Sequence, residues 1–213
     1  MRRYLCLATF FCLCGLAAHA QSAIFLFDDF YNAKIHFKNR GVTVAKMNFD
    51  STHDKMFYKD KNVTMELMNA AAIDSIVWSK TRTFVYKDRK YLEKCDVPNG
   101  TVFIHWKIKS TQIGAVGALG MRTLAKVENI DKKEYGIYND NEKQATVELY
   151  KKKNENAYYF TKDGKTNKVT NLKSLLKLYP GKEEQIQQFV KEHKIDMKEP
   201  EDVLALLNFC MGF

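Results

Sequence analysis

The stretch TVFIHWKIK, residues 101–109, places Val102, Ile104, Trp106 and Ile108 on one side of an extended chain and Thr101, Phe103, His105, Lys107 and Lys109 on the other. Successive side chains of a strand point to opposite faces, so this alternation requires a strand with one face on a core and the other in water. The same period recurs in AKIHFK, with Ala33, Ile35 and Phe37 against Lys34, His36 and Lys38, and in QATVELY, with Ala145, Val147 and Leu149 on one side. Between Ala33 and about Thr161 the runs are separated by turn-forming residues: NRG at 39–41, DSTHD at 50–54, KDKN at 59–62, KDRK at 87–90, DVPNG at 96–100, NEN at 154–156 and KDGK at 162–165. Short strands with turns every eight to twelve residues predict an antiparallel meander of roughly ten strands, forming a roll, a sandwich or a partly closed barrel.

Near Thr170 the period lengthens. Leu172, Leu175, Leu176 and Tyr179 follow helical spacing, as do Ile186, Phe189, Val190 and His193, and then Val203, Leu206, Leu207 and Cys210. Three short helices are predicted, the last opened by Pro200 with Glu201 and Asp202 in its first turn and closed by Gly212. Helices this short are marginal alone in water, so their stripes must pack on the sheet or on one another. The expected class is α+β, mainly antiparallel β, with a β domain over 21–165 and a helical segment over 166–213.

The first twenty residues read as an export signal: Arg2 and Arg3, the apolar run Tyr4 to Leu16, and Ala18-His19-Ala20 before the cut. The expectation is cleavage before Gln21 and a periplasmic or secreted protein. Losing the two leader arginines takes the formal net charge from +9 to +7. No later apolar run approaches the ~20 residues needed to cross a bilayer, so no transmembrane segment is expected in the mature chain. A basic surface favours encounters with polyanions without naming one.

Two cysteines lie beyond the leader, Cys95 and Cys210, and in an oxidising compartment they are candidates for a disulfide joining the last helix to the sheet. The competing reading makes Cys210 a small core residue. A Cys95–His105 dyad fails on register: pairing about Pro98 sets His105 against Tyr91, roughly 13 Å along the sheet from Cys95. His36, His53, His105 and His193 lack metal-ligand spacing, so no metal and no cofactor is expected. Asp50, His53 and Asp54 share one turn, where acidic residues usually cap their own backbone. Asp28 and Asp29, adjacent in an extended chain, point to opposite faces and do not make a carboxylate pair.

QIGAVGALGMRTL, residues 112–124, carries Gly114, Gly117 and Gly120 at three-residue spacing. A phosphate cradle needs a different spacing and a parallel α/β context, so no nucleotide is expected. The competing readings are a bulge or close backbone approach in a sheet, and an apolar flap beside a ligand cavity. The other candidate surface is basic: Lys34 and His36 on one strand, and His105, Lys107 and Lys109 with Phe103 on another. Such surfaces bind acidic glycans or single-stranded nucleic acid, or are solvated faces whose lysines guard strand edges.

The leader ending AHA before Gln21 resembles export signals of Bacteroidetes-type bacteria. The later pattern, with LKSLLKLYPGKEEQIQQFVKEHKIDMKEPEDVLALL, is similar to small exported β-rich proteins of such bacteria. The resemblance implies an exported destination and carries over no functional residue. Together these features lead to an expected non-catalytic binding protein of the cell envelope, its partner an apolar small molecule, an acidic glycan or an envelope protein. The alternatives are a hydrolase-type enzyme assembled only in three dimensions and a structural interaction module.

Overall fold

The computed structural model describes residues 24–61, 63–79, 82–116, 122–123, 135–138 and 147–213. Its strands are β1 (Tyr31–Phe37), β2 (Val42–Asp50), β3 (Lys55–Asp60), β4 (Val63–Glu66), β5 (Ile73–Ser79), β6 (Arg82–Lys87) and β7 (Lys90–Val97). They continue with β8 (Gly100–His105), β9 (Ile108–Val116), β10 (Arg122–Thr123), β11 (Tyr135–Tyr138), β12 (Val147–Asn154), β13 (Ala157–Lys162) and β14 (Lys165–Val169). The helices α1 (Leu172–Leu176), α2 (Glu183–Glu192) and α3 (Pro200–Met211) follow. Every described pairing is antiparallel, in a ten-stranded sheet ordered β14-β13-β8-β7-β6-β5-β1-β2-β3-β4 and a four-stranded sheet ordered β10-β9-β12-β11. The predicted class, mainly antiparallel β with helices near the C-terminus, is what forms. The large sheet is open, ending at β14 and β4, and the strand β14 takes residues 165–169 that the sequence assigns in part to the helical segment.

The alternation predicted for β1 holds over Ala33 to Ile35, with Ala33 and Ile35 buried and Lys34 exposed, and lapses at the His36/Phe37 register shift, where both residues are half-buried. One face of the sheet is continuous from Ile35 through Ile76 and Phe84 to Glu93, Ile104 and Tyr158, each opposite the next across neighbouring strands. The β1–β6 part of this face curls over its own core. The Phe49 ring of β2 lies tilted 5.6 Å from Phe84 of β6 and edgewise 6.1 Å from Tyr91 of β7. In a flat sheet β2 and β6, three positions apart, would lie about 14 Å from each other. Register shifts at His36/Phe37 and Val77/Ser79 supply the bend, since an extra residue on one strand kinks it and increases its twist.

The other part of the face is covered by helices. Val203, Leu206, Leu207 and Cys210 of α3, Ile186 of α2 and Leu175 of α1 pack with Val102, Ile104, Tyr158, Phe160 and Val169. Helix α1 opens on a capping box, Asn171 accepting from the Ser174 amide at 2.8 Å while the Ser174 hydroxyl accepts from the Asn171 amide at 3.2 Å. Helix α3 starts on Pro200 with Glu201 and Asp202 behind it, as its sequence predicts. Gly212 differs from its expected role as a left-handed cap. Its φ is −82°, and a methyl group there would meet Asn99 Nδ2 at 3.2 Å and the Phe209 carbonyl at 3.3 Å, so close approach is the reason for glycine.

The β7–β8 turn is tighter than the sequence register assumed. Val97 pairs with Gly100, which at φ 152° takes a backbone that side chains disfavour, leaving Pro98 and Asn99 as a two-residue loop. Cys95 therefore faces Val102, and His105 lies three residues further along β8. Burial pushes the Cys95 thiol up to about 12, so it is held as a neutral thiol. Cys95 and Cys210 are both free thiols, and both pack into the helix-covered core. At the seam between the two core regions Glu93, only 3% exposed, accepts from Arg82 Nε at 2.7 Å, Arg82 Nη2 at 2.9 Å and Trp106 Nε1 at 2.6 Å. Trp106 packs against both regions. Among the described residues no helix is long and apolar enough to cross a membrane.

Candidate functional site: a basic cleft where two sheets part

Strands β8 and β13 pair as far as His105 opposite Ala157, and β9 and β12 resume the ladder at Ile108 opposite Asn154. The break is held by local polar groups. The Glu155 amide donates to the Lys107 carbonyl at 2.8 Å, the Lys107 amide donates to Asn156 Oδ1 at 2.9 Å, and the Asn156 amide donates to Asn154 Oδ1 at 2.9 Å. Asn156, 8% exposed, thus uses its side chain where a neighbouring strand would otherwise supply an acceptor. Asn154 Nδ2 donates to the Lys198 carbonyl at 3.3 Å, which ties the segment between α2 and α3 to the same place.

A cleft of about 560 Å³ opens at this break. Its cationic wall is Lys90, Lys107, Lys153, Lys168 and Lys198, His105 also lines it, and its one carboxylate among the described residues is Glu155, 3.5 Å from Lys153. Lys90, Lys107, Lys168 and Lys198 have no carboxylate partner among the described residues. Neutral hydrogen-bonding groups come from Asn154, Asn156, Asn171 and Thr170, and Tyr159 supplies one aromatic face with the Lys90 ammonium 5.6 Å from its centre. His105 is buried, its Nε2 3.1 Å from Asp54 Oδ2, and the other oxygen of Asp54 accepts from the Tyr91 amide at 3.3 Å. Asp54 stands at φ 58°, a conformation open to a short polar side chain, and that geometry carries its carboxylate across to β7 and β8. Asp50 in the same turn does cap its own backbone, accepting from the Thr52 amide at 2.8 Å and pairing with His53.

Of the residues singled out from the sequence, His105 and Lys107 line this cleft. Lys109 lies just beyond it on β9, opposite Lys153. His105 does not belong to an exposed basic face: the strand ends there and its imidazole turns to Asp54. Lys34 and His36 are elsewhere, on β1 against Val77 and Ser75, and do not meet the cleft. Gly114 sits in β9 opposite Leu149, while Gly117 and Gly120 lie outside the described residues. Asp28 accepts from the Tyr31 hydroxyl, and Asp29 pairs with Lys59. The sequence reading missed Lys90, Lys153, Lys168, Lys198, Tyr159 and Asn156, which come from four separate regions of the chain. Among the described residues no three His, Cys, Asp or Glu side chains converge to hold a metal ion. No protein-family model, curated protein or solved structure matches the chain.

Proposed function

We propose that the protein is a non-catalytic, exported binding protein of the cell envelope whose basic cleft takes an anionic ligand. The carrying observation is the imbalance at the break between the sheets: five lysines around one cleft against a single glutamate. Clustered like charges repel and weaken the folded state, and an anion that enters the cleft relieves that repulsion. Clefts lined by one sign of charge also concentrate oppositely charged ligands and speed their arrival. The leader-like first twenty residues and the excess of basic over acidic residues support the exported, anion-seeking reading. N-terminal sequencing of protein secreted by its host is expected to start at Gln21; an intact Met1 would overturn the export part.

Calorimetric titration with oligogalacturonate tests the cleft. Binding is expected to weaken as salt is raised, and Lys90→Ala with Lys168→Ala is expected to weaken it by roughly tenfold or more, the scale of losing two charge-assisted contacts. No binding of any anion by the wild type, or equal binding by the double variant, would remove this reading. A catalytic reading has one observation in its favour, the His105–Asp54 pair in the cleft wall, an arrangement able to move a proton. Hydrolysis of the oligomer by the wild type and not by His105→Gln would replace binding with catalysis.

A further inference from the structure

The cationic surface does not stop at the cleft. Lys153, in the cleft wall, lies directly opposite Lys109 across the β9–β12 pair, and the next position on the same face sets Lys151 opposite Thr111. Lys109, Lys151 and Lys153 are all exposed. Cross-strand neighbours sit side by side on one face, and like charges directly opposite one another destabilise a sheet. Among the described residues, the Lys109–Lys153 pair is a cost offset only by Glu155 on the Lys153 side. Alternate residues on a strand are about 6.6 Å apart, so the lysines make a line of charges leading from the cleft along one face of the four-stranded sheet.

Resting on the cleft reading above, we infer that the ligand is a linear acidic polysaccharide, several residues long, with one part seated in the cleft and the rest laid along the Lys153, Lys109 and Lys151 track. A small anion would use the cleft alone and leave the track without a role. The amides of Asn154, Asn156 and Asn171 and the hydroxyl of Thr170 suit the hydroxyls of sugars, while the ammonium groups suit carboxylates or sulfate esters. Single-stranded nucleic acid fits the cleft less well, because such sites stack successive bases on aromatic rings and the cleft lining offers Tyr159 alone among its described residues.

The test compares ligand lengths and uses polygalacturonate, digalacturonate, dextran sulfate, neutral dextran and a single-stranded oligodeoxynucleotide. Simultaneous use of cleft and track is expected to make polygalacturonate bind upwards of roughly tenfold more tightly than digalacturonate. Lys109→Ala with Lys151→Ala is expected to cut the affinity for the polymer several-fold and leave that for digalacturonate unchanged. Both positions are exposed, and a thermal melt of the double variant matching the wild type shows that the fold is intact. The relative affinity for dextran sulfate identifies the preferred anionic group, and neutral dextran is expected not to bind. Equal affinities for short and long chains, or a double variant that holds the polymer as well as wild type does, would overturn the track while leaving the cleft reading in place. Tighter binding of the oligodeoxynucleotide than of either polysaccharide would overturn the assignment of ligand. Silence with every anion removes the cleft reading itself.

Discussion

The two parts of the large sheet have the same apolar face to bury and do it in different ways. From β1 to β6 the sheet bends and fills its own concavity with Met47, Phe49, Met56, Ile76 and Phe84. At its other end, through β7, β8, β13 and β14, it stays open enough to receive three helices, whose leucines take the place of an opposing sheet. The first solution draws on large rings and two register shifts, and the second on aliphatic helix stripes and the capping box of α1. A buried face therefore does not determine its cover: local irregularity in the strands decides whether a sheet folds onto itself or recruits another layer. Glu93, Arg82 and Trp106 sit where one solution passes into the other.

The hardest test of this contrast truncates one ring on the bent side. Phe84→Ala, at a fully buried position, is expected to cost about 3 to 5 kcal/mol, measured by denaturant unfolding. Leu206→Ala on the helical side is expected to cost about 2 to 5 kcal/mol. Both variants should still unfold in one transition by helical and by aromatic circular dichroism, because one sheet and Trp106 link the two parts. A variant whose aromatic signal melts while its helices persist would divide the molecule into two units. At the seam, Arg82→Ala leaves the Glu93 carboxylate nearly buried and is expected to cost about 2 to 3 kcal/mol, a range for losing charged hydrogen bonds.

Alkali should find the helical side first. Burial pushes Cys95, Cys210, Tyr158 and Tyr179 up to about 12 from ordinary values of 9.0 for the thiols and 10.0 for the phenols, and all four belong to the helix-covered core. The folded state keeps these protons where the unfolded chain would lose them, so stability is expected to fall as pH rises from about 9 towards 12. Tyr91 of β7, likewise raised by burial, packs into the core of the bent part and is the one such group there among the described residues. Denaturant midpoints measured across this range for wild type and Tyr158→Phe check the point: the variant's decline is expected to be shallower. The smallest effect concerns the tether between the β7–β8 turn and α3, where Asn99 donates to Asn208 twice at 2.9 Å. Asn208→Ala is expected to cost about 1 kcal/mol, the net worth of a typical hydrogen bond.

Much of this architecture is legible in the sequence, and the exceptions have physical causes. The helices read correctly because Leu175, Ile186, Val203 and Leu206 repeat at the helical period and because Pro200 marks its own position. The turns read correctly because residues such as Asp88, Arg89 and Asp163 take the positive φ that turns require. The bend was invisible, since a bulge displaces one residue without changing composition, and Trp78 beside the Val77/Ser79 irregularity looks like any other strand residue. The cleft was half visible. His105 and Lys107 stood out as members of an alternating strand, but that strand ends between them and a polar break turns the chain into a second sheet. Lys90, Lys168 and Lys198 had no local pattern to distinguish them from other surface lysines, and only tertiary folding brings them together.

The break at Trp106 and Asn156 also affects how freely this protein can change. The chain leaves the large sheet beside the point where it returns, His105 being paired with Ala157. Among the described residues, β9 and β12 are tied to the rest of the molecule near this crossing by the Ile108 amide, which donates to the Ser51 carbonyl at 2.9 Å, and by Asn154, which donates to the Lys198 carbonyl at 3.3 Å. Lys109, Lys151 and Lys153, next to that crossing, are exposed, so substitutions there would change the charge of one face while leaving the buried residues of the large sheet as they are.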